Sequence, residues 1–188
     1  MRDHVLLTIN GERHELRAAD ACSTLSELLR HRLGLRGTKV VCSEGDCGAC
    51  SVLIGRPQAG SLRYRVVDAC ITFVFQLDLC HVITVEGLGR NGHLHPVQEK
   101  LIEGYGSQCG FCTPGFVTTL AGTLESSRGV QLNEADLRLA LSGNLCRCTG
   151  YVQILESFNA IDPTTVEPLD ERFDPTAVLD AAAEMRSV

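Results

Sequence analysis

The spacing of apolar residues along this chain changes period near residue 90. Before that point, Val5 to Asn10 and Arg13 to Arg17 read as two short strands joined by Asn10-Gly11, a dipeptide suited to the positive φ angles of a tight hairpin turn. Thr24-x-x-Glu27 has the form of a reciprocal N-terminal cap. Leu25, Leu28, Leu29 and Leu33 follow on one helical face that stops near Gly34. Ser51 to Ile54, Leu62 to Val67 and His81 to Val85 predict further strands, and the apolar stretch from Ile71 to Val85 predicts a buried element leading into the last of them.

From His95 the period becomes helical. Val97, Leu101 and Tyr105 mark one helix; Thr113-Pro114 reads as a cap and first-turn proline ahead of Phe116, Leu120 and Leu124. Asn133-x-x-Asp136 caps a third helix that turns Leu137, Ala140 and Leu141 inward, and Tyr151, Ile154, Leu155 and Phe158 form the face of a fourth. Gly87 to His93, with three glycines and an asparagine, reads as a linker. Past Asp162, Pro163, Pro168 and Pro175 recur among acidic residues, which predicts a tail that lies on a partner or is partly disordered, helical only over Ala177 to Met185. The pattern predicts an α+β protein: an N-terminal beta-grasp domain over 1–87, an all-α four-helix domain over 88–162, and a C-terminal tail over 163–188.

Composition narrows the function. A chain of 188 residues, 44% hydrophobic, can build one medium or two small cores. Its net charge of -6 and the lack of a basic stripe argue against nucleic acid. Gln76, Asp78 and His81 interrupt the most apolar stretch, which is too short to span a membrane. The N-terminal run Val5 to Ile9 is too short for a signal peptide, which favours a cytoplasmic location with reduced thiols over disulfides.

Eight of the ten cysteines fall into two four-thiolate sets. Cys42-x4-Cys47-x2-Cys50, completed by Cys70, has the spacing of a plant-type [2Fe-2S] ferredoxin. Three soft ligands within nine residues require a loop that curls around the cluster, and Gly45, Gly48 and Ala49 let backbone amides approach an anionic centre. The second set joins Cys109-x2-Cys112 to Cys146-x-Cys148, each pair at the start of a predicted helix, where free N–H groups favour an anion. Two oxidised clusters would add about -4 to the charge. Taken alone, the second set also suits a structural zinc ion. Beside a plant-type set, iron–sulfur is the stronger reading, and two redox centres suggest a wire. Cys22 and Cys80 stand outside both sets and read as small buried residues. His4, His14, His31, His81, His93 and His95 lack ligand spacing and suit surface or capping roles.

Three strings carry a family likeness. Glu44 to Cys50 (EGDCGAC), Gln108 to Gly115 (QCGFCTPG) and Gly143 to Tyr151 (GNLCRCTGY) resemble the iron–sulfur small subunit of the xanthine oxidase family of molybdenum hydroxylases, over about residues 4 to 162. Glu44-Gly45-Asp46, His95-Pro96-Val97-Gln98 and Gly106-Ser107-Gln108 look most like the bacterial xanthine dehydrogenase branch. The resemblance implies an electron-transfer subunit, with a large molybdopterin-binding subunit and an FAD-binding medium subunit as partners, assembled as a dimer of heterotrimers. It implies that Cys109, Cys112, Cys146 and Cys148 bind the cluster nearer the pterin, and Cys42, Cys47, Cys50 and Cys70 the one nearer the flavin. Gln108 and Cys148 match the residues that contact molybdopterin.

No catalytic residue for water-based hydroxylation is assembled here, so substrate chemistry falls to the large subunit. The substrate could be a purine, another nitrogen heterocycle, an aldehyde or carbon monoxide. Many relatives follow the Thr-Gly-Tyr string with arginine or glutamine and then proline or asparagine, where this chain has Val152 and Gln153. Many also run on into a flavin domain, whereas this sequence stops at Val188, which leaves a separate flavin subunit or a different acceptor. The other readings are a free-standing double-cluster ferredoxin and a zinc-stapled interaction module.

Overall fold

The computed structural model describes residues 2–186. Strands β1 (Val5–Ile9) and β2 (Glu12–Leu16) form the expected antiparallel hairpin, with Asn10 and Gly11 both at positive φ in its turn. A short helix α1 (Ala18–Cys22) leads to α2 (Leu25–Glu27), whose Thr24 and Glu27 close the expected capping box. The chain winds on through Leu28–Arg32 in a wider turn, in which the Leu33 amide donates to the Leu28 carbonyl five residues back. Cys22, expected to be buried, is exposed at the end of α1, because that turn buries none of its residues.

Strands β3 (Ser51–Gln58), β4 (Ser61–Asp68) and β5 (Cys80–Ile83) complete a five-stranded sheet of order β2-β1-β5-β3-β4, in which only β1 and β5 run parallel. Both faces of the sheet are covered. Val52, Ile54, Cys80 and Val82 point into a core with Leu25, Leu28 and Leu29 of the α2 region. Leu53, Leu62, Tyr64 and Ile83 point the other way, into a core shared with the helical half. Burial on both sides explains why the start of β3 reads as a continuous apolar run instead of an alternating one.

Four main helices follow α3 (Val85–Leu88): α4 (Pro96–Glu103), α5 (Thr113–Ser127), α6 (Glu134–Ala140) and α7 (Val152–Asn159). α5 lies across β3 and β4, and α4 packs on α7. The start of the expected linker is helical as α3, and Arg90 and His93 then bridge through paired backbone bonds. Tyr105 is 83% exposed and not on the α4 face, since α4 ends at Glu103 and Tyr105 turns to positive φ. Ala140 is also exposed, while Leu137 and Leu141 are buried.

Of the histidines expected in surface or capping roles, His81 departs from both, buried in the sheet, and His95 caps α4 through Nδ1, though from a buried position. Only part of the Ile71 to Val85 stretch is buried: a single turn, Val74–Leu77, tucks Val74 and Leu77 inward and leaves Ile71, Phe73 and Phe75 exposed.

Beyond Asp162 the chain packs on itself. After a turn at Pro163–Thr165, helices α8 (Leu169–Arg172) and α9 (Thr176–Arg186) place Leu169, Phe173 and Val178 in the second core. Polar contacts pin the same segment: the Leu169 amide donates to Glu125 at 2.9 Å, and Arg128 reaches Asp170 at 3.5 Å. The proline spacing that suggested a tail instead marks the breaks between short packed elements. Among the described residues no helix is long and apolar enough to cross a membrane.

Candidate metal centres

The first cysteine loop is shaped by backbone turns. Ser43, Gly45 and Gly48 all have positive φ, and the amides of Glu44, Asp46 and Cys47 converge on the Cys42 sulfur. Those three N–H groups bring the Cys42 thiol down to about 6, so the loop is built to hold a thiolate. Cys50 is buried, and burial pushes its thiol up to about 12. Cys70 arrives from the turn after β4. That turn is clamped to α2, whose first amides, on Leu25 and Ser26, donate to the carbonyls of Thr72 and Ala69.

The second set is gathered from two loops. Cys112 caps α5, one residue ahead of the expected Thr113, with Pro114 in the first turn. The Cys146–Cys148 loop is folded over by its own neighbours. The Tyr151 hydroxyl accepts the Cys146 amide at 2.9 Å, and the Thr149 hydroxyl lies 3.1 Å from the Cys146 sulfur. Tyr151 takes positive φ at the start of α7 to make this reach. Burial raises Cys146, but the Thr149 hydroxyl and the amides of Thr149 and Cys148 outweigh it and leave its thiol below the usual value. Burial raises Cys112 to about 12.

In both sets the sulfurs stand in pairs. Cys109 and Cys148 are 3.6 Å apart, and Cys112 interacts most strongly with Cys146 and more weakly with Cys109. Cys42 pairs with Cys47, and Cys50 with Cys70. Two thiolates on one tetrahedral metal, at bonds of about 2.3 Å, stand about 3.7 Å apart. One zinc ion would need all four sulfurs at that mutual spacing. No group of three or more His, Cys, Asp or Glu side chains among the described residues is gathered around a single-ion site. Two irons, each holding two thiolates, need pairs, so the residues fit a [2Fe-2S] centre in each set.

The second set surrounds a cavity of about 500 Å³, and Cys47 of the first set lines it as well. The two loops are also bonded, since the Leu145 amide donates to the Cys47 carbonyl at 3.0 Å. Gln108 and Cys148 are both exposed, with Gln108 next in the chain to Cys109, the sulfur partner of Cys148. Where the chain departs from its relatives, Val152 is 53% exposed and the half-buried Gln153 leaves its amide oxygen unpaired. Reading the sequence for ligands passed over Asn144, Thr149 and Tyr151. Their signal was present, as polar groups within five residues of Cys146, but only the folded loop shows which atoms they reach.

A beta-grasp sheet, a helical unit packed on it and two sets of paired thiolates define an iron–sulfur electron-transfer protein. Two family models match the chain: a 2Fe-2S iron-sulfur cluster binding domain over residues 7–74 and a [2Fe-2S] binding domain over 84–159. Xanthine dehydrogenase of Drosophila pseudoobscura pseudoobscura is 47% identical over 153 residues, which is 80% of this chain and 11% of that protein. Among solved structures, quinoline 2-oxidoreductase from Pseudomonas putida 86 matches with a TM-score of 0.72 and 31% identity, covering 90% of this chain and 95% of that one. The aldehyde oxidoreductase of Desulfovibrio gigas matches with a TM-score of 0.74 and 34% identity, covering 93% of this chain and 18% of that one. The chain belongs to the xanthine oxidase family of molybdenum hydroxylases, as the iron–sulfur part of these oxidoreductases. It spans about a tenth of the length of the xanthine dehydrogenases it matches.

Proposed function

We propose that this chain is the electron-transfer subunit of a cytoplasmic molybdenum hydroxylase complex of the xanthine dehydrogenase type. Residues 1–87 carry one cluster on Cys42, Cys47, Cys50 and Cys70, and residues 88–162 carry the other on Cys109, Cys112, Cys146 and Cys148. Each cluster, when bound, takes up and gives back one electron. The observation that carries the reading is the shared wall between the sets: Cys47 lines the cavity of the second set and is bonded to Leu145 beside Cys146.

Gln108 and Cys148, exposed beside Cys109, meet the molybdopterin of a large partner subunit. Electrons leave from the first set to FAD on a medium subunit, in a dimer of heterotrimers. A purine is the favoured substrate of the partner's pocket, given the xanthine dehydrogenases among the relatives.

Electron paramagnetic resonance of the dithionite-reduced protein, with iron, zinc and molybdenum analysis, tests this. The expected result is two distinct [2Fe-2S] signals, about four irons per chain and copurifying molybdenum. Stoichiometric zinc with no signal would overturn electron transfer, and two signals without molybdenum or a partner would point to a free carrier.

A further inference from the structure

The contact between the two cysteine loops depends on a buried side chain that touches no sulfur. Asn144 is 4% exposed and sits in the turn after α6, its own amide bonded to the Leu141 carbonyl at 2.9 Å. Its side-chain Nδ2 donates to the Gly48 carbonyl at 3.1 Å and lies 3.5 Å from the Ser51 hydroxyl. That hydroxyl donates to the same Gly48 carbonyl at 2.8 Å, and the Ser51 carbonyl is held in turn by the buried Thr118 hydroxyl of α5 at 2.8 Å. Asn144 is thus anchored to the sheet and to α5 together.

The next residue makes the bond between the loops. Leu145 donates its amide to the carbonyl of Cys47, the neighbour of Gly48. Two adjacent residues of one loop therefore grip two adjacent carbonyls of the other. The Leu145 side chain is 51% exposed and gives that grip little hold, whereas the Asn144 amide is buried. The receiving side is equally constrained, because Gly48 has positive φ and a Cβ there would run into Gly143 and Asn144.

We propose that Asn144 is a positioning residue for electron transfer between the two centres: its buried amide holds the Leu145 N–H against the Cys47 carbonyl and so sets the separation of the two cysteine sets. The inference rests on the cluster-binding reading above. The step it serves moves one electron from the reduced centre to the oxidised one, with no bond made or broken and no proton required. The position needs a donor. An aspartate would set a carboxylate oxygen against the Gly48 carbonyl, and an alanine would leave that carbonyl without its cross-loop partner.

The test uses the chain with both clusters, in whatever complex it purifies. A pulse of reductant delivers one electron, and its re-equilibration between the two centres is followed in the unaltered chain, Asn144→Ala and Asn144→Asp. The expected result in both variants is transfer slowed about tenfold, with iron content, each cluster's resonance signal and both potentials retained. Deuterium uptake over residues 143–147 should rise alongside. A merely structural role would lower iron content or shift a potential and leave the transfer rate of intact molecules unchanged.

An unaltered rate in a variant that keeps both clusters overturns the inference alone. Absence of two clusters from the unaltered chain overturns the cluster reading and the inference with it. Should both Asn144 variants lose iron, Asn144→Leu decides, because it keeps the buried volume and removes the donor to the Gly48 carbonyl: a slowed transfer supports the inference, and a normal one overturns it.

Discussion

The Tyr64 hydroxyl lies 2.8 Å from Nδ1 of His81, in a core that the Phe173 ring closes in a T-shaped contact, its centroid 4.9 Å from that of His81. Tyr64 comes from β4, His81 from β5 and Phe173 from the segment after α8, so one contact ties the sheet to the C-terminal stretch. Burial raises the Tyr64 phenol and lowers His81 to about 4, which keeps both groups neutral at ordinary pH.

Acid should destabilise the fold through two histidines. Burial lowers His81 and His95 alike to about 4, against an ordinary 6.5. The unfolded chain therefore binds more protons than the folded one between these values, so stability is full above about pH 6.5 and falls as pH drops toward 4. The loss is on the order of 3 kcal/mol per histidine. Urea unfolding across this range should show about half the pH dependence in His81→Gln, and an unchanged slope would remove His81 from the account.

Deleting the Phe173 ring should cost about 3–5 kcal/mol, the range for a large ring lost from a packed core. If the C-terminal segment were instead a loose tail, Phe173→Ala would leave the unfolding midpoint unmoved.

Alanine at three glycines should rank by what surrounds each one. Gly34 and Gly48 share a positive φ, but a Cβ at Gly34 meets nothing within 4 Å, while one at Gly48 runs into the Gly143 carbonyl and Asn144. Gly34→Ala should cost about 1 kcal/mol and spare both clusters, whereas Gly48→Ala should disturb both resonance signals. Gly45→Ala falls between, since its neighbour is the movable Ile71 side chain. Equal effects at Gly34 and Gly48 would mean that the close approach of the loops does not matter.

Serine in place of one cysteine should remove one signal at a time. Cys50→Ser should abolish the first cluster's resonance and Cys112→Ser the second's, each leaving the other present, because the sulfur pairs are complete within each set. Loss of both signals from either substitution would indicate a different pairing.

What the sequence by itself determined is what short-range chemistry controls: the Asn10-Gly11 turn, the Thr24–Glu27 capping box, the period of the helices and the two cysteine sets, each set by residues close in the chain. The exposure of Cys22, the burial of His81 and the packing of the stretch after Asp162 depend on which distant surface lies against a residue, and local pattern carries no record of it, although the helix expected over Ala177 to Met185 is present. Tyr105 departs for a local reason, the end of α4 at Glu103. The candidate site divides the same way: spacing named the eight thiols, but their pairing, the reach of Tyr151 to Cys146 and the bond from Leu145 to Cys47 join segments about a hundred residues apart or fold a loop back on itself. Only the tertiary structure brings those loops together, because α5 and the sheet must pack before Gly48, Gly115 and Asn144 can meet.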